Sequence, residues 1–128
     1  MKLDFTGKII LITGGTGGIG KKLVNDFLKL NGKVICTTTS INKYKNKKNL
    51  TFENLDLNNE ISTNNFLGKI KKLKKIDVLI NNAGINKISP INRIELNDWK
   101  RIQNVNVMGP LLITKEVSNI MMAKKAQM

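Results

Sequence analysis

The sequence predicts an α/β fold built on a parallel sheet, and three observations predict it. Short apolar, branched runs alternate with segments whose apolar residues fall at helical spacing. The first of these runs has no polar alternation, as a strand buried on both faces requires. It is followed at once by a cluster of glycines that opens a helix. The order strand, helix, strand, strand, helix, strand, helix argues for right-handed crossovers between parallel strands. The 128 residues allow one modest domain, assigned to 1–128.

The first strand is read over Lys8–Thr13 (KIILIT). Gly14, Gly15, Gly17, Gly18 and Gly20 follow. The next segment, KKLVNDFLKL, places Leu23, Val24, Phe27, Leu28 and Leu30 on one helical stripe, closed by Asn31-Gly32 as a C-cap. Lys33–Thr39 (KVICTTT) reads as the second strand, and Ile41–Asn49 as a polar, basic loop. Leu50–Leu57 alternates well enough for a third strand. Ile61, Phe66, Leu67, Ile70 and Leu73 mark the apolar stripe of a second helix, with lysines on its outer face. Asp77–Ile80 (DVLI) is the fourth strand, followed by Asn81-Asn82-Ala83-Gly84. After a loop containing Pro90, a long helical region is expected from about Asn97 to the end. No repeat or linker interrupts the chain.

Composition removes several classes of function. The single cysteine, Cys36, excludes a disulfide framework and a cysteine metal site. With no histidine there is no His-based triad, no imidazole zinc site and no His general base. No metal is expected. No apolar run approaches the roughly 20 residues of a membrane span, and the start lacks the features of a signal peptide. A cytoplasmic protein without membrane contact is therefore expected. The net charge is +13, yet 20 of the 22 basic residues are lysine and the other two are Arg93 and Arg101. Readers of nucleic acid lean on arginine and aromatics, and aromatics are 5% here. Lysine, asparagine and isoleucine share A/T-rich codons, so composition bias accounts for the charge without an anionic partner. A lysine-rich nucleic-acid binder stands as the least favoured reading.

The glycine cluster carries the chemistry. Glycines between a buried strand and a helix let a pyrophosphate approach the helix N-terminus, where free N–H groups and the helix dipole favour negative charge. Gly15, Gly17 and Gly20 fit G-x-G-x-x-G; Thr13-Gly14 with Gly18-Ile19-Gly20 fit T-G-x-x-x-G-I-G. No G-K-[ST] follows, which excludes a P-loop.

Four motifs in order then point to one family: TGGTGGIG at 13–20, Asp56 after the third strand, NNAG at 81–84, and the Trp99…Asn106…Gly109 pattern of the long helix. With these the chain resembles the short-chain dehydrogenase/reductase family, in the branch that includes ketoacyl-carrier-protein reductases, over essentially its whole length. The resemblance implies a partial doubly wound Rossmann sheet of strand order 3-2-1-4, truncated after the fourth strand and its long helix. It implies that Gly14, Gly18 and Gly20 line the cofactor pyrophosphate, with Ile19 beside it and Thr13 also among the cofactor-binding residues. Asp56 would accept a hydrogen bond from the adenine amino group, with Leu57 adding backbone contacts. Asn82, Ala83 and Gly84 would pass along the adenosine and ribose, and Asn81 would brace the central strands. Asn106, the one catalytic candidate, would interrupt the long helix and hold a water in a proton relay.

Thr38 and Thr39 end the second strand where NAD-specific relatives carry an acid for the ribose 2′-hydroxyl. With Thr37, Ser40 and Lys43 beside them, NADP(H) is favoured, with NAD(H) possible. The glycine loop lacks the basic residue of many NADP-specific relatives. The family's catalytic serine and Tyr-x-x-x-Lys pair have no counterpart in this sequence. Tyr44 and Lys48 have the spacing but lie in the basic loop, before NNAG. Ser118 lies too near Asn106 to be the family's serine. The resulting expectation is an NAD(P)-dependent oxidoreductase acting on a small carbonyl or alcohol, present as a catalytically incomplete N-terminal half; the alternative is a non-catalytic nucleotide-binding module. An open edge at the fourth strand is expected. Leu111, Leu112, Ile113, Val117, Ile120 and Met121 of the final helix are expected to lose cover, which favours a homo-oligomer.

Overall fold

The computed structural model describes residues 2–126. Four strands, β1 (Ile9–Ile12), β2 (Lys33–Thr38), β3 (Leu50–Asn54) and β4 (Val78–Ile80), form one parallel sheet in the order β3-β2-β1-β4. Helix α1 (Gly18–Lys29) connects β1 to β2, and α2 (Glu60–Ile70) connects β3 to β4. After β4 come α3 (Leu96–Gln103), one widened π-turn (Asn104–Met108) and α4 (Gly109–Ala126).

The alternation of strand side chains sorts β1 onto two cores. Ile10 and Ile12 point to one face, where they pack with Val24 of α1, Val34, Cys36 and Leu50. Leu11 points to the other, with Phe66 and Ile70 of α2 and Ile113, Val117 and Ile120 of α4. Ile10, Leu11 and Ile12 are all fully buried, which is why this strand shows no polar alternation. The register Ile10↔Val34 and Ile10↔Val78 places β1 at the centre. Among the described residues β4 pairs on one side only, so the expected open edge is present.

The end of α1 is a Schellman turn: Gly32 N–H donates to Phe27 O at 2.9 Å and Asn31 N–H to Leu28 O at 3.1 Å. Asn31 takes the left-handed conformation (φ 68°). Gly32 is needed for space, since a Cβ there would stand 2.7 Å from Ile10 Cδ1.

Several sequence expectations are corrected. The third strand stops at Asn54, not Leu57. Asp56 ends it: its carboxylate accepts the Asn58 N–H at 2.9 Å and turns the chain toward α2. Asn59 then caps α2, accepting Ser62 N–H at 2.9 Å. Ile61 is 73% exposed rather than part of the core stripe; Thr63 takes the inward position, its hydroxyl donating to Asn59 O. Leu73 packs on the core from the turn after α2. The long helical region is three pieces, and the last two residues of its expected span lie outside the described residues. Ile113, Val117 and Ile120 keep full cover, because α2 and the sheet already bury them; Leu111 is the exposed one.

Pro110 explains the widened turn. It has no N–H for the carbonyl four residues back, and its ring crowds that carbonyl, which belongs to Asn106. The helix absorbs both problems by opening at 104–108.

Candidate nucleotide site

At the carboxyl ends of β1–β4 the chain leaves a cavity of about 890 Å³. This is where an open parallel sheet places a ligand, since the loops diverge there. Its wall includes the glycine loop, the end of β2, the turn after β3, the segment after β4 and one face of α3.

The glycine loop is shaped by two left-handed glycines, Gly14 (φ 64°) and Gly18 (φ 53°), a conformation that costs an L-residue about 1–2 kcal/mol. They aim α1 so that its first turn opens on the cavity. No side chain caps this helix, and its first turn carries no acid. Its leading N–H groups and the positive end of its dipole are left for an anion. A Cβ at Gly18 would meet nothing within 4 Å, so that position looks onto open cavity.

Of the residues singled out in the sequence, Gly14, Gly18, Ile19, Thr38, Thr39, Asp56, Leu57, Asn82, Ala83 and Gly84 line the cavity. Thr13 and Gly20 do not. Thr13 is buried beneath the wall, and its hydroxyl accepts N–H groups from both Asn82 and Ala83 at 3.1 Å. Gly20 is a packing glycine: a Cβ there would fall 2.5 Å from both Asn82 Nδ2 and Gly14 O. That space is used by Asn82, whose side-chain N–H donates to Gly14 O at 2.9 Å. Asn82 thereby ties the segment after β4 to the glycine loop. Asn81, expected to brace the central strands, instead donates to Thr114 Oγ1 of α4 at 2.9 Å. Thr114 is on the neighbouring helix, so the brace is from sheet to helix.

Asn106 stands at the middle of the π-turn. Its Oδ1 accepts Ile85 N–H at 2.9 Å and its Nδ2 donates to Ile85 O at 2.8 Å. At the end of β2, Thr37 Oγ1 accepts Gly14 N–H at 3.0 Å, and Thr38 Oγ1 accepts Ser40 N–H at 3.1 Å. Lys43 sits on the short turn Ile41–Lys43 and is not among the lining residues. Tyr44 is engaged away from the cavity, its ring stacked on Phe52 at 5.0 Å. Cys36 is fully buried below the glycine loop, and burial pushes its thiol from 9.0 up to about 11.

Sequence reasoning did not single out Thr16, Asn58, Ile85, Arg101 or Val105, all of which line the cavity. The spacing of Arg101 and Val105, one helical turn apart, was the available signal. The described residues hold no cluster of metal-ligating side chains and no helix long and apolar enough to cross a membrane.

The comparisons agree with this geometry. A family model described as short chain dehydrogenase matches residues 8–127. The chain is 33% identical to the 3-oxoacyl-(acyl-carrier-protein) reductase FabG of Rickettsia typhi, over 96% of this chain and 52% of that protein. A short chain dehydrogenase from Leptospira borgpetersenii, solved with bound NAD+, superposes with a TM-score of 0.78 at 27% identity, covering 89% of this chain and 46% of that one. A 4-hydroxyisoleucine dehydrogenase complexed with NADH gives 0.74 at 30% identity, covering 88% and 48%. The chain thus spans about half the length of the relatives it matches.

Proposed function

Because the chain belongs to the short chain dehydrogenase family, we propose that its cavity holds a nicotinamide dinucleotide for hydride exchange with a carbonyl or alcohol. The observation that carries this reading is the uncapped first turn of α1 facing the cavity beside Gly14 and Gly18. In this reading the α1 amides hold the pyrophosphate, and Gly18 and Ile19 leave room for it. Thr13 and Gly20 contribute from beneath, by fixing the wall. Asp56 accepts from the adenine amino group with Leu57 beside it, and Asn82, Ala83 and Gly84 flank the ribose. When bound, the nicotinamide supplies or accepts the hydride.

Asn106 acts as a positioning residue for the segment after β4, through its paired bonds to Ile85; holding a relay water is the further role proposed for it. Asp56 and Arg101 are the charged side chains on the described wall, which carries no histidine, tyrosine, cysteine or lysine. This supports dinucleotide binding without turnover by these residues alone, as in a nucleotide-binding module.

NADP(H) is favoured over NAD(H), because no carboxylate stands at the end of β2 to repel a 2′-phosphate, and Thr39 is exposed on the cavity wall there. Self-association is proposed through the β4 edge left unpaired among the described residues and through exposed Val107, Met108 and Leu111; sedimentation tests it, with a mass above one chain expected and a single-chain mass contradicting it. Fluorescence titration with NADPH and NADH tests the cofactor reading: NADPH binding tighter supports it, and equal or tighter NADH binding removes the preference.

A further inference from the structure

The two charged groups of the cavity wall come from different elements. Asp56 lies in the turn after β3 and Arg101 on the exposed face of α3. Arg101 is one turn before Val105, which is buried in the wall. Asn104, on the same helical face, donates to Asn58 Oδ1 at 3.2 Å, two residues past Asp56. The guanidinium is therefore carried at the end of the cavity that the Asp56–Asn58 turn bounds. Leu55, Leu57 and Val105 make that end apolar. An apolar slot with one carboxylate acceptor suits a flat heterocycle bearing an exocyclic amino group.

Arg101 is unspent. Among the described residues no carboxylate pairs with it; Asp98, on the same helix, is taken by Lys87 at 2.6 Å. Its identity is informative too. This chain uses lysine for 20 of its 22 cations, so a bare positive charge would be served by lysine. A guanidinium differs in being planar and weakly hydrated, which lets it lie on an aromatic face.

We propose that Arg101 reads the base of the dinucleotide, its guanidinium lying flat against the adenine ring at the Asp56 end of the cavity. This rests on the dinucleotide reading above. Arg101 then contributes to affinity for the adenosine half whatever the ribose carries at its 2′ position.

The test is titration of the 128-residue protein and its R101L and R101K variants with NADPH, NADH and ADP-ribose. Stacking on a base predicts that R101L binds all three about tenfold more weakly. It also predicts that R101K recovers little of the loss. Arg101 is exposed, so both variants retain the parent's thermal midpoint. A loss confined to NADPH and restored by R101K overturns the proposal in favour of a 2′-phosphate contact. Unchanged affinity for all three ligands in R101L also overturns it, while leaving the dinucleotide reading intact. A parent that binds none of the three overturns that reading, and this inference with it.

Discussion

The side-chain amide of Asn106 closes a two-point hydrogen bond on the backbone of Ile85, accepting its N–H at 2.9 Å and donating to its carbonyl at 2.8 Å. A widened helical turn on one element is thus locked to the segment that follows β4 on another. The match requires one donor and one acceptor on the same short side chain, which asparagine supplies and aspartate or leucine does not. Asn106→Leu is expected to cost about 1 kcal/mol in denaturant unfolding, the ordinary net worth of such bonds. In the same variant the Ile85 amide is expected to exchange with solvent faster than neighbouring sheet amides do. Asn106→Asp keeps the acceptor and should fall between wild type and Asn106→Leu. Unchanged Ile85 exchange in Asn106→Leu would show that the link does not hold the segment.

Two glycines three residues apart should respond oppositely to alanine. A Cβ at Gly20 would press on Asn82 Nδ2, Gly14 O and Gly15 Cα. Gly20→Ala is therefore expected to destabilise by about 1–3 kcal/mol, the range for overpacking, and to break the Asn82–Gly14 tie. At Gly17 the same methyl meets nothing within 4 Å and φ is −143°. Gly17→Ala should leave stability within about 0.5 kcal/mol of wild type. Chemical denaturation of the two variants side by side checks this; equal losses would contradict the packing role given to Gly20.

Cys36 should be inert while the protein is folded. Burial raises its thiol to about 11 from 9.0, partly offset by the Gly15 N–H, so at pH 8 almost no thiolate forms. A thiol reagent should react only as fast as the protein unfolds. The linkage has a definite sign. A raised acid pKa in the folded state adds stability that is complete below pH 9 and is lost as pH climbs toward 11. The stability gap between wild type and Cys36→Ala should therefore narrow by about 2 kcal/mol over that interval. Comparison with Cys36→Ala cancels the lysines that titrate in the same range. A constant gap would show that the thiol ionises equally well in both states.

Much of the fold was legible because its signals are local and redundant. KIILIT carries burial on both faces in its composition, and β1 lies within one residue of that run at each end. The cavity wall was legible where glycine, Asp56 and NNAG mark backbone that must turn or approach closely. The rest depended on contacts no local pattern encodes. Ile61 is apolar but lies half a turn round the helix from Ile70, whereas Thr63 shares the buried face with Phe66 and Ile70 and satisfies its hydroxyl on Asn59 O. Thr13 and Gly20 look like phosphate-loop residues in a motif, yet both lie beneath the wall, where Asn82 crosses from β4. Arg101 shares a helical face with Val105, but that this face meets the turn after β3, where Asn104 bonds Asn58, is a contact between residues far apart in the sequence.

The central claim is that the uncapped start of α1 binds the pyrophosphate of a nicotinamide dinucleotide. Titration of Gly18→Asp with NADPH, beside wild type, tests it most directly. The substituted side chain would project into open cavity with a negative charge, where Cβ space exists within the fold. Positive φ adds about 1–2 kcal/mol of strain without a clash, so circular dichroism should still report a folded chain. The account predicts measurable NADPH binding by wild type and loss of at least about tenfold in Gly18→Asp, since a like charge replaces free amides at the helix dipole. Equal binding by a folded Gly18→Asp protein would contradict it.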